Sequence, residues 1–282
     1  MKLQKIVNRL QKLHPKEIDL SLNRIKKLCK TLGNPQDKLK AISVVGTNGK
    51  YSTIQALFAI LREANIKCNI YTSPHIKRIN ERFVFNNEEL NDDDLGILFE
   101  EVEEANNNEP ITFFEILTAA YFYNASKYPE NINLIETGLF HRFDATNILK
   151  DNLASIVTSI GLDHLDWLPE NEQTTKKIIF EKTSTLVNSN IIIAKQSSSK
   201  IVNEIKSSIL KNSSKKYFFN EDYNYSSNEN SFIFYEDKNG GIKLPTPNVK
   251  GQFQLENIST AIATLRSINH LKVSEKHIKD GI

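Results

Sequence analysis

The chain is poor in the residues that staple, pivot or anchor a protein. Of 282 residues, 2 are cysteine, 8 proline and 10 glycine. Cys29 and Cys68 stand far apart without metal-like spacing. They give neither a disulfide framework nor a thiolate metal site, and they fit a reduced, cytoplasmic compartment. No Pro-rich or Gly-rich linker divides the chain, and no internal repeat is evident. No apolar run approaches the length that crosses a bilayer, so no membrane partner is expected. The opening Met1-Lys2-Leu3-Gln4-Lys5 starts an amphipathic helix rather than an apolar signal region. Neither sign of charge is in surplus, with 36 basic and 34 acidic residues. That balance argues against a nucleic-acid partner. The abundance of Asn, Lys and Ile is read as coding bias and assigned no function. What the chain does have is apolar content, 39%, enough for one large domain or two ordinary ones.

Periodicity predicts an α/β chain. Leu3, Ile6, Val7, Leu10 and Leu13 share one helical face, ended by His14-Pro15. A second helix is expected over 21–32, stopped by Gly33. Strand 41–45, helix 51–64 and strand 66–71 then form a βαβ unit, which implies a parallel sheet. Helices follow over 92–104, 112–127, 174–186, 200–210 and 256–268, with strands over 133–137, 154–159 and 191–195. A small hairpin, 231–235 with 242–244, is expected around Asn239-Gly240-Gly241. The polar stretch 220–230 reads as a surface loop.

The most informative stretch is Ser43-Val44-Val45-Gly46-Thr47-Asn48-Gly49-Lys50-Tyr51-Ser52-Thr53. A strand, a glycine loop and a helix start, in that order, aim free backbone N–H groups at one point. Lys50 adds a mobile positive charge, and the Ser52 hydroxyl can reach a magnesium ion. A grip on nucleotide phosphates needs all three. The general pattern G-x-x-x-x-G-K-[ST] fails in two places, because Val44 replaces the first glycine and Tyr51 separates Lys50 from Ser52. What survives, V-x-G-T-N-G-K-x-S-T, resembles the ATP loop of the Mur ligase superfamily. Its folate branch, folylpolyglutamate synthase and dihydrofolate synthase, has glycine where this chain has Tyr51.

Further segments resemble the same branch in the same order. They are Ile18-Asp19-Leu20-Ser21-Leu22-Asn23-Arg24, then Tyr71-Thr72-Ser73-Pro74-His75 with Asn80-Glu81-Arg82, then Ile111-Thr112-Phe113-Phe114-Glu115. Glu136-Thr137-Gly138-Leu139 leads to Arg142-Phe143-Asp144-Ala145-Thr146-Asn147, and Asp163-His164 is followed by Glu181-Lys182. Last comes Gly251-Gln252-Phe253-Gln254-Leu255-Glu256-Asn257. In the Glu136 segment, Phe140 and His141 replace two glycines of the family pattern. Several of these have plain structural accounts too. Thr112 with Glu115 is a capping box, and Glu181 with Lys182 reads equally as a surface pair.

The resemblance implies an ATP- and folate-binding domain over 1–282, with a Mur-ligase-type phosphate loop. It implies a ligase that adds L-glutamate to dihydropteroate or a folate through an acyl phosphate, using ATP and Mg2+ and acting as a monomer. Gly46, Thr47, Asn48, Gly49, Lys50, Ser52, Thr53 and Asn257 would hold ATP. Ser52 would bind the ATP-linked magnesium. Ser73, Glu136, His164 and a carbamylated Lys182 would bind a second ion. Phe113, Phe114, Arg142 and Asp144 would hold the folate, and Lys50, His164 and Lys182 would serve catalysis. The family's glutamate-binding C-terminal domain is expected to be missing, so the chain reads as truncated. The alternatives are a nucleotide-binding module without turnover and, more weakly, another P-loop kinase or GTPase, although no guanine-reading N-K-x-D segment occurs.

The phosphate loop generates a direct expectation. Lys50→Ala should weaken Mg-ATP binding strongly and leave the fold intact. Equal affinities of the two proteins by calorimetry would remove the assignment.

Overall fold

A computed structural model describes residues 2–16, 19–227 and 233–282 of the chain. Met1, Ile18, the loop residues 228–230 and the first two residues of the expected hairpin, 231–232, lie outside the described residues. Two helices come first, α1 (Lys2–Leu10) and α2 (Asn23–Thr31). Next are β1 (Lys40–Val45), α3 (Lys50–Glu63), β2 (Cys68–Tyr71), β3 (Phe83–Phe85) and β4 (Glu88–Glu89). Then come α4 (Asp92–Asn106), α5 (Phe113–Ala125), β5 (Ile132–Glu136), β6 (Ala154–Val157) and α6 (Thr175–Thr183). They are followed by β7 (Asn190–Ile193), α7 (Ser199–Ser208), β8 (Lys216–Phe218), β9 (Tyr223–Ser227), β10 (Ile233–Asp237) and β11 (Gly240–Leu244). The chain closes with α8 (Gln252–Ser267) and α9 (Glu275–Asp280).

The main sheet has the order β4-β3-β2-β5-β1-β6-β7-β8. The pairs from β2 to β8 are parallel, and β3 and β4 add an antiparallel edge. The chain runs outward from β1 to β2 on one side, and later crosses from β5 to β6 on the other. Ligands of open α/β sheets collect at such a reversal, outside the carboxyl ends of the strands. Those ends here carry Gly46 after β1, Ser73 after β2, Thr137 after β5 and Thr158 after β6.

Strand alternation buries both faces. Ala41, Tyr71 and Ile135 join the core under α1, α2, α4 and α5. Ile42, Val44, Ile70 and Leu134 join the opposite core under α3 and α8. A third cluster seats α6 and α7 against β6 and β7.

The expected hairpin is present as β10 paired antiparallel with β11, and one expectation needs correction, because β9 joins it as a third antiparallel strand. Its extra strand, β9, falls in the stretch expected to be loop. The segment is polar because most of its side chains face solvent, while Tyr223 faces the core. β3, β4 and β8 are two or three residues long, too short for alternation to show.

The abundance of asparagine also has a structural use. Asn69 on β2 and Asn133 on β5 are register partners and fully buried. Asn69 Nδ2 donates to Asn133 Oδ1 at 3.1 Å, and the Tyr121 hydroxyl donates to the same oxygen at 3.0 Å. Asn69 Oδ1 accepts from Asn131 Nδ2 at 3.0 Å and from the Asn86 N–H at 2.9 Å. This network clamps together the two strands that deliver Ser73 and Glu136. Asn69→Leu leaves those donors without acceptors and should cost about 2–4 kcal/mol in urea unfolding, with an unchanged slope. A loss under about 0.5 kcal/mol would show the network to be dispensable.

Candidate functional site

The phosphate loop is built around two glycines that no other residue could replace without strain. Gly46 has φ +151°, and a Cβ there would stand 2.0 Å from Thr158 Oγ1. Gly49, at φ +88°, starts α3, and its Cβ would stand 2.5 Å from Asn257 Oδ1. α3 has no side-chain cap, so the N–H groups of its first turn, Lys50, Tyr51 and Ser52, point outward as an anion site. The rest of the loop is less open than expected. The Thr47 and Asn48 N–H groups both donate to Ser159 O, at 2.9 and 3.2 Å. Thr53 is fully buried, with its hydroxyl 3.5 Å from Asn257 Oδ1. Thr53 and Asn257 thus meet behind the start of α3. Lys50 Nζ donates to Gly46 O at 3.3 Å and Thr47 O at 3.1 Å, and lies 3.8 Å from Glu136 Oε1.

Glu136 ends β5 and is buried. Its Oε2 accepts from the Ser73 N–H at 3.1 Å. Burial raises its carboxyl above the ordinary value, and Lys50 only partly offsets this. Ser73, Glu136 and Lys50 thus meet. His164 faces the same cavity as Lys50 and Ser73, in a left-handed conformation with φ +54°. Its Nε2 lies 3.1 Å from Asp163 Oδ2. Burial lowers its pKa, against the pull of Asp163.

Among the described residues no three His, Cys, Asp or Glu side chains gather into a metal cage. Magnesium does not need one, since it takes one or two carboxylates and keeps several waters. Glu136, a buried carboxylate beside Lys50 and the Ser73 turn, suits that chemistry. Lys182 does not suit it as an amine. It is 1% exposed, so it is not a surface partner of Glu181. Its Nζ donates to Gly46 O at 3.1 Å and Leu139 O at 2.9 Å. Burial, then Lys50, pulls its pKa down to about 8. In this structure Lys182 is a tie between two loops.

A cavity of about 460 Å³ opens beside these groups. Leu20, Phe113, Phe114 and Phe143 form an apolar wall, and Lys50, Ser73 and His164 line the same space. Asp144 also lines it, but its carboxylate is already engaged. Oδ2 accepts from the Gly138 N–H at 2.9 Å, and Oδ1 accepts from the Thr146 N–H and hydroxyl at 2.9 and 2.5 Å. Burial raises its pKa to about 6. Arg142, expected among the folate contacts, is absent from the lining. It forms a two-pronged pair with Glu181 at 2.7 and 2.8 Å and lies over the Phe143 ring.

Sequence reasoning missed part of the wall. Arg24 donates to Asp19 Oδ2 at 2.7 Å and to Glu115 Oε2 at 2.9 Å, which draws 19–21 over the cavity. Glu115 Oε1 is buried without a hydrogen-bond partner among the described residues. Arg82 also lines the cavity, and its Nε donates to His75 Nδ1 at 2.9 Å. The Asn80-Glu81-Arg82 segment was the available signal for it.

The three departures from the family pattern are accommodated. Tyr51 is 56% exposed, so its ring lies at the surface of the first turn of α3. Phe140 and His141 are buried, and neither has a positive φ, so glycine is not required there. Phe140 packs edge-on to the His164 ring at 6.1 Å, with Lys182 Nζ 5.6 Å from its centroid. His141 Nδ1 lies 3.1 Å from the Thr185 hydroxyl.

Fold and site together define an α/β domain with a glycine loop between strand and helix at the carboxyl edge of a mostly parallel sheet. The Mur ligase middle domain matches residues 44–265, and the chain belongs to that family. Dihydrofolate synthase/folylpolyglutamate synthase of Escherichia coli (strain K12) is 33% identical over 278 residues, covering 97% of this chain and 62% of that protein. A probable dihydrofolate synthetase of Schizosaccharomyces pombe is 27% identical, covering 94% and 63%. Among solved structures, E. coli FolC in complex with DHPP and ADP superposes with a TM-score of 0.88 at 31% identity, covering 99% of this chain and 65% of that one. The Yersinia pestis bifunctional folylpolyglutamate synthase/dihydrofolate synthase, complexed with AMPPNP and Mn ion, gives 0.86 at 28% identity, with the same coverage of 99% and 65%. The chain therefore spans less than two thirds of these relatives.

His141 gives the site a pH signature. Burial lowers its pKa to about 4, against about 6.5 when unfolded. Between those values the unfolded chain holds a proton that the native one does not, so stability falls as pH drops from about 6.5 to about 4. His141→Gln should flatten that part of the melting-temperature profile relative to the unsubstituted chain. Parallel profiles for the two proteins would contradict the assignment.

Proposed function

We propose that the chain is the ATP- and acid-binding domain, over 1–282, of a ligase that joins L-glutamate to dihydropteroate or a folate. The observation that carries this is a single cavity running from an aromatic wall, Phe113 and Phe114, to the phosphate-loop Lys50. A flat heterocycle fits the aromatic part. The relatives support the same reading, as dihydrofolate synthase/folylpolyglutamate synthase and as structures holding ADP or AMPPNP.

The γ-phosphoryl group of ATP passes to the carboxylate of the acid, giving an acyl phosphate and ADP. The amine of glutamate then attacks the acyl carbon, forming the amide and releasing phosphate. Lys50 and the N–H groups of residues 50–52 hold and neutralise the phosphates, which is most of what phosphoryl transfer asks of a protein. The Ser52 hydroxyl, and Glu136 with Ser73 and His164, would hold magnesium ions, which when bound neutralise charge on the transferring group. Phe113 and Phe114 place the acid, while Asp144 and Lys182 fix the loops around it. The two cysteines are buried thiols, which supports a cytoplasmic setting. The partners proposed are small molecules, and the protein is proposed to act as a monomer.

Trapping with hydroxylamine tests the first half-reaction. With ATP, magnesium and dihydropteroate, ADP should form together with the acid's hydroxamate, and Lys50→Ala should abolish both. Glu136→Gln and His164→Ala should each raise the magnesium concentration required. Nucleotide binding without any acid-dependent ADP would favour a nucleotide-binding module without turnover.

A further inference from the structure

We propose that Arg82 grips the carboxylate of the acceptor acid and holds it toward the phosphate loop; this rests on the ligase reading above. Arg82 stands out among the arginines of the chain. Arg9, Arg24, Arg78, Arg142 and Arg266 each pair with a carboxylate. Arg62 is exposed beside the Phe58 ring. Arg82 is half-buried, and the hydrogen bond its side chain makes goes to a neutral imidazole, His75 Nδ1, at 2.9 Å. Among the described residues Arg82 has no carboxylate partner, and a half-buried cation lining a cavity is suited to an anionic ligand.

The position is fixed by backbone. Arg82 O accepts from the Thr72 N–H at 3.3 Å, which sets Arg82 beside the Ser73 turn at the end of β2. Phe83, the next residue, pairs with Tyr71 across the sheet. The Glu81 carboxylate accepts the N–H groups of Ile76, Lys77 and Arg78 at 2.8–3.0 Å, so the intervening loop is pinned. Lys50, Ser73 and His164 share the cavity with Arg82. An acid whose ring lies against Phe113 and Phe114 must present its carboxylate near the phosphate-loop lysine to be phosphorylated. Arg82 lines that same space. A guanidinium held through Nε is oriented to meet a carboxylate with its remaining N–H groups. Lys50, by contrast, is a point charge within the phosphate loop. The two cations then divide the work, one for the acid and one for the nucleotide.

The test compares two ligands in two proteins. Pteroate and its uncharged carboxamide share the ring system and differ in the group Arg82 is proposed to hold. By calorimetry with Mg-ADP present, the chain should bind pteroate about tenfold or more tighter than the carboxamide. Arg82→Gln should remove that preference and leave carboxamide affinity unchanged, which also reports an intact cavity. Arg82→Lys should keep part of the preference. Equal weakening of both ligands would show that Arg82 shapes the cavity rather than binding the carboxylate, and would overturn the proposal. So would loss of ADP affinity with the pteroate preference retained. Failure of the unsubstituted chain to bind either ligand, while it binds Mg-ADP, would remove the pterin reading itself and the proposal with it.

Discussion

The carbonyl oxygen of Gly46 is the point on which the site depends. Two lysine amines from distant parts of the chain converge there, Lys50 at 3.3 Å and Lys182 at 3.1 Å. The convergence is possible because Gly46 has no side chain. Its backbone presses against Thr158 so closely that a Cβ would overlap the hydroxyl oxygen. β1 and β6 are thereby drawn together at their carboxyl ends, and the Ser159 carbonyl takes the Thr47 and Asn48 N–H groups. The loop is held in shape before any ligand arrives, which is what preorganised electrostatic stabilisation requires.

Around that point the charges are arranged by burial. Glu136, Asp144 and Lys182 are each almost fully shielded from water. Each pKa moves toward the neutral form, upward for the two acids and downward for the lysine. Hydrogen bonds from Ser73, Gly138 and Thr146 oppose the shift at the acids. Fixed dipoles thus stand where water would otherwise be. The same fixing leaves no room for a side chain at Gly138. A Cβ there would come within 2.7 Å of Asp144 Oδ2 and 3.1 Å of the Phe114 ring. Phe140 and His141 face no such limit, and they fill the space between that loop and α6 with apolar and neutral groups.

Much of the fold was legible because its signals are local. Apolar periodicity located α1 through Leu3, Ile6, Val7 and Leu10, and the β1-α3-β2 unit through an apolar run, a glycine loop and an amphipathic helix. The order of short motifs pointed to one family from end to end. Strands such as β9, whose polar residues face solvent, and β4, only two residues long, gave too weak an alternation to read. Asparagine at Asn69 and Asn133 looked like background composition, because its partners lie across the sheet.

The sequence by itself determined the strand–glycine loop–helix unit, the α/β class and several of the residues that the fold brings together, among them Lys50, Ser73, Phe113, Phe114 and His164. It did so because glycine spacing, helix starts and strand ends are properties of a few consecutive residues. Only the tertiary structure decided what each of those residues does. It placed Thr53 against Asn257, Arg142 on Glu181 instead of in the cavity, and Lys182 under the loop instead of at the surface. It also brought Arg24 to Glu115 and left Arg82 lining the cavity without a carboxylate partner among the described residues. These outcomes depend on groups tens of residues apart, such as Gly46 with Lys182 or Thr53 with Asn257. No local pattern records them, because packing and the need to satisfy buried polar groups are settled only when the whole chain has closed on itself.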